Sequence, residues 1–187
     1  MSITRCLIAC TLTSLCLTTI GCQTGGGGGP RIVNAASPER KAAMLDKVAA
    51  LEGTWVNVQS NGQPVPADQQ GTITFSKSSN GSAVREVMFP GSQHEMTNMY
   101  HMDGQDLVVT HYCAMGNQPR MRCVQPGASE LAFGFDSATN VRSSEEECMG
   151  ELTLRFIDAN TIEQIWNSNK GGVRTSHAVF TLKRKGT

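Results

Sequence analysis

Aromatic residues make up only 5% of the 187-residue chain, and its 16 basic and 16 acidic residues leave no formal net charge. A neutral chain without a basic stripe lacks the electrostatic footprint of a nucleic-acid-binding protein, so no nucleic acid is expected among its partners. No apolar run reaches the ~20 residues that a helix needs to cross a bilayer. The longest, Cys6–Ile20, has the dimensions of a signal-peptide core and follows a positive charge at Arg5. Catalytic signatures are missing too. There is no Gly-x-Ser-x-Gly elbow, no His-Glu-x-x-His helix and no spaced Cys/His metal motif. Gly25–Gly29 is not a phosphate loop, because neither a preceding strand nor a following Lys-Ser or Lys-Thr accompanies it. The acidic run Glu145–Glu147 reads as a solvated loop. The chain is therefore expected to bind without catalysing.

The N-terminus carries a processing signal. Thr19-Ile20-Gly21-Cys22, directly after the apolar run, resembles the lipobox of bacterial lipoproteins. That resemblance implies cleavage before Cys22, a diacylglycerol on its sulfur and acylation of the new amino group. Several acyl chains hold a protein firmly, since each buried methylene contributes about 0.8 kcal/mol. Gln23 follows where lipoproteins retained in the inner membrane carry Asp, so the resemblance implies the outer membrane, facing the periplasm. The expected organisation is a signal peptide over 1–21, a lipidated, glycine-rich tether over 22–36 and one folded domain over 37–187.

Ser37-Pro38-Glu39 predicts a helix start, with a hydroxyl cap, Pro in the first turn and an acid at the positive dipole end. Met44, Leu45, Val48 and Leu51 continue it at helical spacing up to Gly53. Beyond Gly53, turn signals recur at short intervals (Asn80-Gly81, Asp103-Gly104, Asn117-Gln118-Pro119, Asp158-Ala159-Asn160), with no alternation of strands and helices. About ten strands in consecutive hairpins make an antiparallel meander. A meander of that length hides its edges by closing into a barrel. The fold class is thus all-β, a closed barrel behind one short helix, with an open sandwich as the alternative.

Gly53-Thr54-Trp55 after a short helix resembles the calycin superfamily of lipocalins and fatty-acid-binding proteins. The resemblance implies that Trp55 closes the barrel base and that Arg184, on the last strand, packs across it. It also raises haem, which some calycin-like barrels hold through a C-terminal histidine. His177 is the candidate, with its facing set by a single residue of the turn near Asn169.

Hairpin turns set register, and register sets facing. Closing on Asp103-Gly104 pairs Tyr100 with Leu107, Asn98 with Val109 and Met96 with His111. Closing on Asn117–Pro119 pairs Met115 with Met121 and Cys113 with Cys123, whose opposition suggests a cross-strand disulfide in an oxidising compartment. The other turns set Ile73 against Met88, Phe75 against Glu86, Leu152 against Trp166 and Arg155 against Glu163. The resulting interior is apolar with a few polar groups, Glu86, Asn98, His111 and Gln164, plus Asn57 and Gln59 if Trp55 faces in. Glu86, Asn98, Tyr100 and His111 are the candidate ligand-binding residues of a cavity for a small apolar or amphipathic molecule. The alternative is a filled barrel in which those groups satisfy one another.

Overall fold

The computed structural model describes residues 31–66 and 70–186. The chain divides into two units, Met1–Ile32 and Val33–Thr187, and the fold is that of the second. The signal peptide, Cys22 and most of the tether lie outside the described residues.

Ser37 caps the first helix as its sequence requires, its hydroxyl accepting from the Arg40 N–H. Instead of one helix there are two short ones, α1 (Pro38–Ala43) and α2 (Leu45–Ala49). They break at Met44, whose φ of −123° and ψ of −87° are not helical. The break lets both Met44 and Leu45 enter the core beside Val48 and Leu51.

Ten strands follow: β1 (Gly53–Val58), β2 (Thr72–Ser78), β3 (Ala83–Met88), β4 (Met96–Asp103), β5 (Asp106–Tyr112), β6 (Gln118–Cys123), β7 (Glu130–Thr139), β8 (Cys148–Asp158), β9 (Thr161–Lys170) and β10 (Val173–Arg184). Each pairs antiparallel with the next, and β1 closes on β10, so no edge remains open. The closed meander agrees with the sequence reading and removes the open sandwich.

Closure brings Trp55 opposite Arg184. The Trp55 ring is fully buried, its indole N–H donates to the Leu51 carbonyl at 2.8 Å, and the Arg184 guanidinium lies 4.4 Å from the ring centre. Arg184 also donates to the carbonyls of Glu52 (2.7 Å) and Ala50 (3.1 Å), tying the last strand to the end of α2. One end of the barrel is thus plugged by the helical segment, Trp55 and Arg184.

Two registers differ from expectation. The β4–β5 hairpin turns on Gly104-Gln105, not Asp103-Gly104, so Asn98 opposes His111 and Tyr100 opposes Val109. This two-residue shift leaves every side chain on its expected face. The β5–β6 hairpin closes earlier than Asn117–Pro119. The Gly116 N–H donates to the Cys113 carbonyl, the Cys113 N–H donates to the Asn117 carbonyl, and Gly116 takes the left-handed conformation that the turn needs at φ +88°. Met121 therefore opposes Val109, and Cys123 opposes Leu107. Cys113 lies just past the far end of β5 from Leu107, so the expected Cys113–Cys123 disulfide is not formed. Cys113, Cys123 and Cys148 are all free thiols.

Candidate functional site

The four candidate ligand-binding residues meet inside the barrel. Glu86 comes from β3, Asn98 and Tyr100 from β4, and His111 from β5, each at an inward position of its strand. Asn98 Nδ2 donates to Glu86 Oε2 at 2.8 Å and the Tyr100 hydroxyl donates to the same oxygen at 2.7 Å. From the opposite wall, Gln164 Nε2 on β9 donates to Glu86 Oε1 at 2.6 Å. Gln164 Oε1 in turn accepts from the Trp166 indole N–H at 3.2 Å. The network therefore spans the lumen rather than lining one wall. All its members are buried, with His111 only 1% exposed.

The donors dictate protonation states. Three donors surround the Glu86 carboxylate, which fits its ionised form, while complete burial pushes its pKa up against them. No basic side chain forms an ion pair with it among the described residues. Burial, with the Glu86 charge as a second cause, raises Tyr100 well above its ordinary value, so it remains a donor. The Asn98 amide, oriented by Glu86, offers Oδ1 to His111 Nδ1 at 2.7 Å. Nδ1 must then carry the imidazole proton, and Nε2 has a bare lone pair. That atom is buried and has no hydrogen-bond partner. Burial lowers the His111 pKa to about 4, so the ring is neutral at ordinary pH. Its ring centre lies 5.0 Å from that of Trp166.

Two adjoining cavities lie beside the ends of β1 to β3 that point away from the helices. One half-open cavity of about 510 Å³ is lined by Val56, Val58, Val65, Gln70, Gly71 and Phe89 among others. A second, of about 460 Å³, lies between Asn57, Gln70, Phe89, Ser92, His94 and Phe180. They share Asn57, Gln70, Phe89 and Ser92, and together form one mouth. None of Glu86, Asn98, Tyr100 and His111 lines either cavity. Their expected role as cavity wall is replaced by a closed network beneath the mouth. The two are linked through Phe180, which lines the mouth and is the cross-strand partner of Gln164.

Phe89 shapes this mouth. It has φ +54°, an uncommon conformation for a bulky residue. Its N–H donates to the Thr72 carbonyl at 2.9 Å, and its ring packs edge-on to Phe180 with centroids 5.6 Å apart. Gly71 makes room for it, since a Cβ there would lie 2.5 Å from the ring. No sequence pattern singles out Phe89, Ser92 or His94. Only the Phe-Pro-Gly turn chemistry after β3 hints that the chain departs from a strand there.

The outer wall holds a second polar cluster. Arg120 and Arg122 point outward, as expected, and both reach Asp103 at 2.8 Å. Arg122 also binds Asp106 (3.0 Å) and Asp136 (3.1 Å), contacts that raise its pKa. Arg40 of α1 approaches Asp106 and donates to the Val124 carbonyl, so the cluster fixes the helical segment to the barrel. Arg155 pairs with Glu163 at 3.0 Å.

His177 lies exposed on the outer face of β10, opposite Asn167. Its ring does not face the lumen, so His177 is not placed as a ligand inside the barrel.

These features define a small closed barrel of ten antiparallel strands with a plugged base, a cross-lumen polar network and an apolar mouth. In its fold the chain is similar to Rv2717c from M. tuberculosis, known from a crystal structure. That protein aligns with a TM-score of 0.51 over 80% of this chain and 99% of its own, at 12% identity. The likeness establishes the fold. No family model matches the chain, and neither does any curated protein.

Proposed function

We propose that this protein is a lipid-anchored, calycin-like barrel that binds a small amphipathic molecule at its mouth and does not transform it. The mouth itself carries the reading. Its walls are apolar at Val56, Val65, Phe89 and Phe180, and the two amides Asn57 and Gln70 are set among them. Apolar walls with a few placed polar groups characterise small-molecule sites. The size fits as well, since such sites run to about 300–1,000 Å³. Ser92 lines both cavities yet is exposed, so a large side chain there fills the mouth without disturbing the core.

N-phenyl-1-naphthylamine, a neutral amphipathic fluorophore, is expected to give a saturable emission increase with the wild-type chain. Ser92→Trp should weaken it at least tenfold at unchanged thermal stability. Absence of saturable binding, or equal binding by the variant, rejects the mouth as the site.

Attachment is proposed at Cys22, after removal of 1–21, with the protein on the outer membrane facing the periplasm. The lipobox-like Thr19–Cys22 after a short apolar run supports this. When the full chain is expressed in a bacterium supplied with labelled palmitate, label should be incorporated. Cys22→Ser should lose it entirely and leave an uncleaved precursor. Equal labelling of the variant excludes Cys22.

A further inference from the structure

The free thiols of the described residues lie at opposite ends of the barrel. Cys123 ends β6 on the side of the helices, buried, with its thiol donating to the Gln125 carbonyl at 3.5 Å. Cys113 follows the last residue of β5, and Cys148 is the first residue of β8. Both of these strand ends point away from the helices. In strand order β6 and β7 stand between β5 and β8, yet β6 also approaches β8 directly. Asn117, which leads into β6, spans the distance. Its carbonyl accepts from the Cys113 N–H at 3.1 Å, and its Nδ2 donates to the Glu147 carbonyl at 3.1 Å. Glu147 directly precedes Cys148, so one buried asparagine holds the backbone beside both cysteines. Burial raises the Cys148 thiol pKa, and the charges of Glu146, Cys113 and Glu147 add to it, which puts the two sulfurs within electrostatic reach of each other. Both cysteines are partly exposed, and Cys148 lines a half-open cavity of about 390 Å³ that gives an oxidant access.

The geometry points to Cys113 and Cys148 as a disulfide-forming pair that ties the tip of the β5–β6 hairpin to the start of β8. The bond would act where strand pairing is sparse. β7 pairs with β8 only over Glu130–Phe133 against Leu152–Arg155, although β7 runs on to Thr139 and β8 begins at Cys148. The first residues of β8 are thus laddered to β9 alone. The oxidant is a disulfide, such as oxidised glutathione. One protein thiolate attacks it and releases a glutathione thiolate. The second protein thiol loses its proton, attacks the protein sulfur of the mixed disulfide and expels the other glutathione. The protein gives up two electrons and two protons, and the donor disulfide becomes two thiols.

The test equilibrates the purified full chain in a buffer of reduced and oxidised glutathione, alkylates the remaining thiols and digests with trypsin without reduction. Cleavage after Arg85, Arg120, Arg122, Arg142 and Arg155 puts the three cysteines on separate peptides, 86–120, 123–142 and 143–155. Mass spectrometry should find 86–120 joined to 143–155 and 123–142 alkylated. Cys123→Ser should keep the bond and Cys148→Ser should lose it. Reduction should lower the melting midpoint of the wild type by at least about 4 °C and leave that of Cys148→Ser unchanged. Any other link, a covalent dimer, glutathione left on either cysteine or alkylation of all three thiols overturns the pairing. A bond that forms without moving the midpoint overturns its role in holding β8.

Discussion

Replacing Trp55 with alanine should destabilise the barrel by about 3–5 kcal/mol, a cost typical of emptying a large buried aromatic site. The indole is fully buried, and its N–H satisfies the Leu51 carbonyl. It supports three things at once: the last turn of the helical segment, the β1–β10 seam and the guanidinium of Arg184. Removing it leaves a cavity at the plugged base that Met44, Leu45 and Val48 cannot fill without moving the helices. Arg184→Ala should cost less, because part of that side chain meets solvent and its carbonyl partners can bind water. The two losses should not add. A double-mutant cycle isolates the cation–π contact, which at a partly exposed site contributes about 0.5–1 kcal/mol. Urea unfolding followed by circular dichroism gives all three values. A Trp55→Ala loss under about 1.5 kcal/mol would mean that the base closes without the indole.

The seam illustrates which parts of this fold were legible. Trp55 follows a glycine that ends a helical pattern, and Arg184 sits in the last strand. Their distance in sequence is large, but a closed meander must bring first and last strands together. The inward set was legible for a different reason. Strand facing has a period of two, so the error in the β4–β5 turn, which displaced the register by two residues, left Asn98, Tyr100 and His111 on the correct side. The same tolerance does not extend to contacts. Cys113 and Cys123 share a facing, but whether they touch depends on where the hairpin closes. Gly116 closes it, and Pro119 is absorbed into β6. Composition around that turn favours either solution, and backbone hydrogen bonding to Asn117 decides between them.

The mouth was not legible for a stronger reason. Phe89 reads as the apolar end of β3, yet its left-handed conformation turns the ring toward Phe180, more than ninety residues away. No local pattern encodes that pairing. The lumen-spanning contact of Gln164 with Glu86 is equally non-local, since facing tells which side chains are inside but not which opposite walls come within 2.6 Å. Strand facing therefore identifies the members of the polar network but not that they close upon themselves, leaving the accessible space to residues at the rim.

That closure makes the protein sensitive to acid through His111. The native ring takes a proton only near pH 4, whereas the unfolded chain takes it near the ordinary value of 6.5. Between these values the unfolded state binds more protons than the native state, so stability falls as pH is lowered through the window and is fully retained above it. Each pH unit crossed between the two values costs about 1.4 kcal/mol, so the loss approaches roughly 3 kcal/mol by pH 4. Glu86 works in the opposite sense. Its raised pKa means that the native state takes up a proton before the unfolded chain does, which adds stability as pH falls through the native value. His101, half-buried with its pKa lowered chiefly by burial, adds a loss of the same sign as His111. Comparing variants separates these contributions. The wild-type protein should lose thermal stability from pH 7 to pH 5, and His111→Gln should remove most of that slope while keeping the donor to Asn98. His101→Gln should remove only a small part. Parallel melting curves for wild type and His111→Gln across this range would show that the buried imidazole is not the group that couples folding to acid.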